Sequence, residues 1–232
     1  MEFDHFECVS FDCYGTLIDW ETGISSALRP VLERHEISIG HYPLLELYGK
    51  AEAEIEAGSY QPYHEVLKDV LSMIGDILGF EPSPDEFESF STSVRNWPAF
   101  TDSSQALRAL AAQYRLIILS NIDDDQFRFS QKILGVEFDQ VFTAQQIGSY
   151  KPSRQNFEYL IQHAGVPRHK ILHVAQSIFH DIAPAKAIGI ATVWVNRRQG
   201  LGGFGATPPA EAVPDATVPD LRSLAVLTGA MA

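Results

Sequence analysis

Residues 7–17 read ECVSFDCYGTL, and this stretch decides the fold. An apolar run, residues 7–11, leads directly into Asp12 and then into a turn that contains Gly15. A short, continuous apolar run that ends in a turn is typical of a parallel strand covered on both faces. Asp12 is therefore predicted at the carboxyl end of a first strand, which is where ligands of open α/β sheets bind.

Further short apolar runs follow, and segments with helical spacing separate them. The predicted strands are residues 116–119, 140–143, 171–175 and 191–195, with a short edge strand near 216–218. Apolar residues at i, i+3, i+4 and i+7, starting from Leu107 and Phe157, predict helices for which Ser103 and Ser153 are the expected N-caps. This alternation of strand and helix predicts the α/β class with a parallel sheet.

The segment 18–96 contains no clear strand and is predicted to form several helices. Their expected spans are residues 24–35, 43–57, 63–78 and 84–96. Because the segment leaves at the end of the first strand, we expect it to cover the carboxyl edge of the sheet as a lid. The predicted domains are an α/β core, residues 1–17 and 97–232, and an inserted helical cap, residues 18–96.

Composition excludes several classes of protein. The chain has 232 residues, of which 45% are hydrophobic, and a net charge of −13. A field of that sign disfavours nucleic acid and requires that any anion site be built from local donors. No apolar run approaches the roughly 18 residues of a membrane span, and the N-terminus does not resemble a signal peptide. We therefore expect a cytoplasmic protein, with Cys8 and Cys13 as reduced core residues.

Polar residues follow the other predicted strands as well. Ser120-Asn121, Lys151-Pro152 and the pair Ser177 and Asp181 come after successive strands. Each of these motifs is common by itself. Ser-Asn is typical of a turn, Lys-Pro is typical of a surface loop, and an acidic residue is favoured in the first turn of a helix. Together with Asp12 they gather at one sheet edge, where a carboxylate is placed for nucleophilic attack. Thr16 is positioned to orient Asp12 by a hydrogen bond.

These motifs, in this order, resemble those of the haloacid dehalogenase superfamily over nearly the whole chain. The matching residues are Asp12-x-Tyr14-Gly15-Thr16-Leu17, Ser120-Asn121, Lys151-Pro152 and Ser177-x-x-x-Asp181. The resemblance implies a doubly wound, Rossmann-like core with a mobile cap. It also implies attack by Asp12 on the substrate, which gives a covalent ester that water then hydrolyses.

Two positions favour the dehalogenase branch of the superfamily over its phosphatases. The phosphatases place an acid two residues after the nucleophile, where this chain has Tyr14, and many place another where it has Gln176. A halide leaves without being protonated, so a dehalogenase needs no such acid. We therefore expect a metal-independent 2-haloacid dehalogenase without a cofactor. Mg²⁺ is expected only if the alternative, a phosphatase acting on a small phosphomonoester, is correct.

The expected catalytic residues are Asp12, Thr16, Lys151 and Asp181, with Lys151 keeping Asp12 ionised and Asp181 positioning the water. The expected substrate or halide ligands are Tyr14, Ser120, Asn121, Ser177, His180 and Lys50. Three positions depart from the dehalogenase pattern: Ile178 replaces an asparagine, His180 an aromatic residue, and Lys50 is the only cation in the stretch that carries the cap arginine. A catalytically inactive binding protein remains an alternative. The expected partner is a small anionic substrate, without nucleic acid or membrane, and a homodimer is left open.

Overall fold

The computed structural model describes residues 1–231, which contain a parallel sheet of six strands. The strands are β1 Cys8–Phe11, β2 Arg115–Ser120, β3 Gln140–Thr143, β4 Ile171–Ala175, β5 Ala191–Val195 and β6 Ala216–Val218. Their order across the sheet is β3-β2-β1-β4-β5-β6, and every neighbouring pair is parallel. The strands run outward from β1 in both directions, so the predicted doubly wound α/β fold is confirmed.

The direction of winding reverses between β1 and β4, which places a crevice at their carboxyl ends. The register pairs Phe11 with Val174, and the backbone N–H of Asp12 donates to the carbonyl of Val174 at 3.1 Å. Asp12 is thus the first residue beyond the sheet at its topological switch point, which is the position at which open α/β folds bind ligands.

Four helices lie between β1 and β2. They are α1 Trp20–Arg34, α2 His41–Glu56, α3 Tyr63–Leu78 and α4 Pro84–Ser91. The first helix begins four residues earlier than predicted, because Asp19 caps it by accepting from the N–H and hydroxyl of Thr22. The last ends five residues early and is followed by a 3₁₀ turn, Ser93–Asn96. These helices form the cap.

Six α-helices follow the cap within residues 1–231 and flank the sheet, besides short 3₁₀ and π turns. They are α5 Ser103–Ala111, α6 Asp124–Leu134, α7 Ala144–Ile147, α8 Arg154–His163, α9 Ala183–Ala187 and α10 Leu221–Leu227. Ser153 caps α8 as predicted. Ser103 is not the cap of α5 but its first residue, because its hydroxyl donates instead to the carbonyl of Leu17 at 2.8 Å. That bond fastens α5 to the end of the turn after β1.

Among the connections that hold the cap on the core, two involve the backbone. On one side the entering and leaving segments pair with each other, since Asp19 N–H donates to the Pro98 carbonyl and Phe100 N–H to the Leu17 carbonyl. On the other side the loop after β5 reaches the cap. Its residue Ala206 packs so closely on Gly49 of α2 that a Cβ there would clash with the Ala206 carbonyl. Cap and core share one continuous hydrophobic cluster.

Cys8 and Cys13 are both buried and neither is in a disulfide, as expected. Within residues 1–231, every helix falls short of the length or apolarity that a membrane span requires.

Candidate active site

The residues predicted to carry chemistry surround a small pocket between the sheet edge and the cap. The core contributes Asp12, Tyr14, Ser120, Asn121, Lys151, Ser177, His180 and Asp181, and the cap contributes Trp20, Glu52, Glu56 and Tyr63. The enclosed space is about 30 Å³, which is room for about two water molecules. The cap is therefore closed over Asp12.

A buried ion cluster lies at the centre of this pocket. The Nζ of Lys151 donates to Asp12 Oδ1 at 2.9 Å, to Asp181 Oδ1 at 2.7 Å and to the Leu119 carbonyl at 2.9 Å. All three protons of the ammonium are thus used, and its side chain is 2% exposed. Burial opposes the charge on Lys151, but the two carboxylates outweigh it and raise the pKa of the lysine. The single positive charge of Lys151 therefore compensates the negative charges of both Asp12 and Asp181.

Asp12 is held on both of its oxygens. The Thr16 hydroxyl donates to Asp12 Oδ2 at 2.6 Å and accepts from the backbone N–H of Gln176 at 2.9 Å. Burial raises the pKa of Asp12, and the charge of Lys151 and the hydrogen bond from Thr16 work against that rise. The ionised state of Asp12, which nucleophilic attack requires, depends on these two neighbours.

Asp181 is oriented by a pair of residues that sequence reasoning missed. His173 Nε2 lies 2.9 Å from Asp181 Oδ1, and His173 Nδ1 lies 2.8 Å from the hydroxyl of Ser10. Ser10 and His173 are fully buried partners in the register of β1 and β4. In the sequence, this pair is indicated by one polar residue within each of two otherwise apolar runs. Burial opposes ionisation of Asp181, but Lys151 and His173 hold its pKa below the usual value.

The two polar residues after β2 have different environments. Asn121 donates through Nδ2 to Glu56 Oε2 and to the Lys151 carbonyl, and accepts from the Lys151 N–H. Its amide therefore fixes Lys151 and is not free for the substrate, contrary to the expectation. Ser120 is 3% exposed, and its buried hydroxyl has no hydrogen-bond partner in residues 1–231. The Ser120 hydroxyl thus remains available as a donor to a ligand.

Ser177 and His180 form a pair of their own. The Ser177 hydroxyl accepts from the His180 N–H at 2.8 Å and lies 3.1 Å from His180 Nδ1. Ser177 therefore orients His180. Burial lowers the pKa of His180 to about 4, so its ring is neutral at pH 7. His180 Nε2 is buried without a partner in the part of the chain that the structure describes.

Tyr14 lines the pocket with its ring and not with its hydroxyl. The hydroxyl is 2.9 Å from the Ser130 hydroxyl, and the ring packs edge-on against Trp97 at 5.6 Å between centroids. Burial raises the pKa of Tyr14 well above its usual value. The side chain two residues after Asp12 is therefore a neutral wall of the pocket.

The structure does not bring Lys50 together with the other predicted site residues. Lys50 lies on the exposed side of α2 and does not line the pocket. Two residues along a helix correspond to a rotation of about 200°, so Lys50 faces away when Glu52 faces inward. The cap therefore directs the carboxyl groups of Glu52 and Glu56 at the site, where a cation was expected.

Polar contacts close the cap against the core around this pocket. Asp123 accepts from the backbone N–H groups of Tyr63 and His64 at 2.9 and 3.2 Å. The Tyr150 hydroxyl donates to the Gln61 carbonyl at 2.8 Å. A second cavity of about 390 Å³ lies outside and shares Glu56, Lys151 and His180 with the inner pocket. No group of three or more His, Cys, Asp or Glu side chains within residues 1–231 is arranged to hold a metal ion.

Comparisons with known proteins agree with this geometry. The sequence profile of the haloacid dehalogenase-like hydrolases matches residues 6–189. The (S)-2-haloacid dehalogenase 1 of Pseudomonas sp. strain CBS-3 is 25% identical over 198 residues, or 82% of this chain and 84% of that one.

Solved structures share the fold across the whole chain. The L-2-haloacid dehalogenase of Xanthobacter autotrophicus, with chloropropionic acid covalently bound, has a TM-score of 0.79 at 22% identity, covering 98% of this chain and 100% of that one. A HAD-hydrolase of Bacillus subtilis bound to magnesium has a TM-score of 0.77 at 18% identity, covering 97% and 99%.

Proposed function

The chain belongs to the haloacid dehalogenase-like hydrolases, and from that premise we propose that it hydrolyses the carbon–halogen bond of small 2-haloacids through a covalent ester on Asp12. The observation that carries the proposal is the environment of Asp12. Asp12 is a buried residue, and its carboxylate is bonded to Lys151 on one oxygen and to Thr16 on the other in the pocket beneath the cap. A carboxylate positioned in this way is a nucleophile that needs no separate base.

In the first step an oxygen of Asp12 attacks C2 of the haloacid. A carbon–oxygen bond forms, the carbon–halogen bond breaks, and the halide leaves with the bonding electrons. Lys151 favours this step because it stabilises the ionised form of Asp12. The free hydroxyl of Ser120 is the donor for the carboxylate of the substrate.

In the second step water attacks the carbonyl carbon of the Asp12 ester. The bond between that carbon and the alkyl oxygen breaks, which releases the 2-hydroxyacid and one proton and restores Asp12 with an oxygen from water. Asp181 Oδ2 is buried and has no partner in residues 1–231, so it is the oxygen assigned to orient this water.

Metal independence is part of the proposal and has two supports. The Tyr14 hydroxyl is bonded to Ser130 and stands where a phosphatase needs an acid. The ammonium of Lys151 already joins Asp12 and Asp181, so the place of a cation between these carboxylates is filled. The residues present therefore do not fit a resident Mg²⁺, and no step requires one.

The test compares two activities of the same preparation. Halide release is measured with chloroacetate and fluoroacetate, and phosphate release with a generic phosphomonoester, each with and without EDTA. We expect halide release that EDTA leaves unchanged. Phosphate release that EDTA abolishes and Mg²⁺ restores would overturn the proposal in favour of a phosphatase, and absence of both activities would favour a binding protein.

A single turnover in ¹⁸O-water tests the role of Asp12 directly. We expect label in Asp12 and none in the hydroxyacid, because the first product oxygen comes from the carboxylate. Asp12→Asn is expected to abolish turnover, since an amide is a poor nucleophile. The matched control is Asp125→Asn, whose side chain is 86% exposed and should keep full activity. Label in the first product with none in the protein would exclude the ester.

A further inference from the structure

Glu52 is the most deeply buried carboxyl group that the cap directs at Asp12. It is 3% exposed. The hydroxyls of Tyr48 and Tyr63 both donate to its Oε1 at 2.7 Å. These are its hydrogen-bond partners among residues 1–231, and both meet the same oxygen. Oε2 is therefore the atom that remains for a proton or a ligand.

The charges that face Glu52 are mostly negative. Asp12 and Asp181 lie across the pocket and share the single ammonium of Lys151. Glu56 lies one helical turn further along α2, and burial and the neighbouring Glu52 raise the pKa of its carboxyl well above the usual value. Four further titratable groups line the pocket or contact Glu52 and are neutral at pH 7: Tyr48 on α2, Tyr63 on α3, Tyr14 after β1 and His180 after β4. A 2-haloacid would add one more carboxylate to this pocket.

A carboxylate could nevertheless be bound if a donor replaced the missing cation. The buried Ser120 hydroxyl in the same pocket has no partner in residues 1–231, so one donor for an incoming oxygen is already present. A neutral Glu52 would supply a second through Oε2, since a protonated carboxyl group is a donor and an ionised one only accepts.

We propose that Glu52 determines the charge of the substrate that the pocket accepts. Its neutral carboxyl donates from Oε2 to the carboxylate of a 2-haloacid, whereas its ionised form excludes that carboxylate and still admits an uncharged analogue. The proposal rests on the proposed function insofar as it places a 2-haloacid beside Asp12. It makes Glu52 a specificity residue and not the nucleophile.

Glu52 changes its charge within the pH range in which binding can be measured. Burial raises the pKa of Glu52 to about 7, the Tyr63 and Tyr48 hydroxyls limit the rise, and the charge of Asp12 adds to it. The neutral form therefore predominates below about pH 7. Above that pH the fraction of neutral Glu52 falls tenfold per pH unit, and the affinity for a carboxylate should fall with it.

The test uses lactate and lactamide, which do not react and differ in charge. Calorimetric titrations of the full chain between pH 5.5 and 8.5 give the Kd of each. For the natural sequence we expect the lactate Kd to rise about tenfold per pH unit above pH 7, while the lactamide Kd stays constant. Titration at pH 8 in two buffers of different ionisation enthalpy should show uptake of about one proton with lactate and none with lactamide.

Three variants assign this effect to one carboxyl group. Glu52→Gln should bind lactate with a Kd that does not change with pH and without proton uptake, because the amide donates at every pH. Glu54→Gln, on the exposed side of the same helix, and Glu56→Gln, whose carboxyl is bonded to Asn121, should keep the pH dependence.

Equal pH dependence for lactate and lactamide would overturn the proposal, and so would a pH dependence that persists in Glu52→Gln. Failure of lactate to bind at pH 5.5 would also overturn it. Halide release is measured separately. A protein that binds lactate as expected but releases no halide from 2-chloropropionate would contradict the proposed function and support the role of Glu52.

Discussion

Lys151→Met tests the buried ion cluster, because it removes the charge that two carboxylates share and keeps much of the apolar stem. The side chains of Lys151, Asp12 and Asp181 are 2%, 9% and 1% exposed. Removing one partner of a buried pair costs about 3–5 kcal/mol, since the remaining charge loses its compensation. For a chain of this size, 1 kcal/mol corresponds to about 2–4 °C in Tm. We therefore expect Tm to fall by about 6–20 °C.

The matched control is Lys186→Met. Lys186 pairs with Asp215 through side chains that are 34% and 32% exposed, and pairs of this kind contribute about 0–1 kcal/mol. Thermal and denaturant unfolding, followed by circular dichroism, give the Tm and the free energy of unfolding of each variant. Equal stabilities of the two variants would refute the argument that the cluster is electrostatically critical.

The pH dependence of Lys151→Met separates lost charge from lost packing. Without the lysine, we expect burial to raise the folded-state pKa of both Asp12 and Asp181 above that of a free aspartate. The folded state then holds protons that the unfolded chain has lost, so stability falls as pH rises from about 4. Adding Asp12→Asn and Asp181→Asn should recover part of the loss at pH 7. If the loss of stability in Lys151→Met were the same at every pH, and unchanged in the triple variant, lost packing alone would explain it.

Three further predictions concern the cap and the site. Gly49→Ala should lower the free energy of unfolding by about 1–3 kcal/mol in denaturant titrations, because the new methyl group meets the Ala206 carbonyl, whereas Gly202→Ala, which has open space, should change it little. The pKa of Glu52 rises from 4.5 to about 7 on folding. The free energy of unfolding should therefore fall by up to about 3 kcal/mol between pH 4.5 and 8. A Glu52→Gln protein whose stability fell equally with pH would contradict this. Thr16→Val removes a hydrogen bond that lowers the pKa of Asp12, so the acid limb of the pH–rate profile should move to higher pH, and Thr16→Ser should restore it.

Local patterns were enough to predict the sheet. Most strands are short and largely apolar, and a run such as residues 171–175 that ends in a turn is typical of a strand covered on both faces of a parallel sheet. Because parallel strands end at a common edge, the meeting of Asp12, Lys151 and Asp181 followed from their positions after successive strands. The resemblance drawn from these motifs is confirmed by the family to which the chain belongs.

Orientation and pairing could not be predicted in the same way. Whether Lys50 or Glu52 faces the pocket depends on how α2 is rotated about its axis, and that rotation is fixed by packing across the whole cap. Ser10 and His173 become partners only when the register of β1 and β4 is known. The sequence also does not show that the side-chain amide of Asn121 makes its hydrogen bonds to Glu56 and Lys151 rather than to a ligand.

A pocket of about 30 Å³ under a closed cap has a kinetic consequence. An organic acid cannot enter through so small a space, so substrate enters only the molecules whose cap is open, and the apparent affinity is the intrinsic one multiplied by that open fraction. The closing bonds of Asp123 and Tyr150 each contribute about 0.5–1.5 kcal/mol net. Loss of one such bond would therefore raise the open population roughly twofold to tenfold. Residues that never touch the substrate thus regulate both its arrival and the departure of the product.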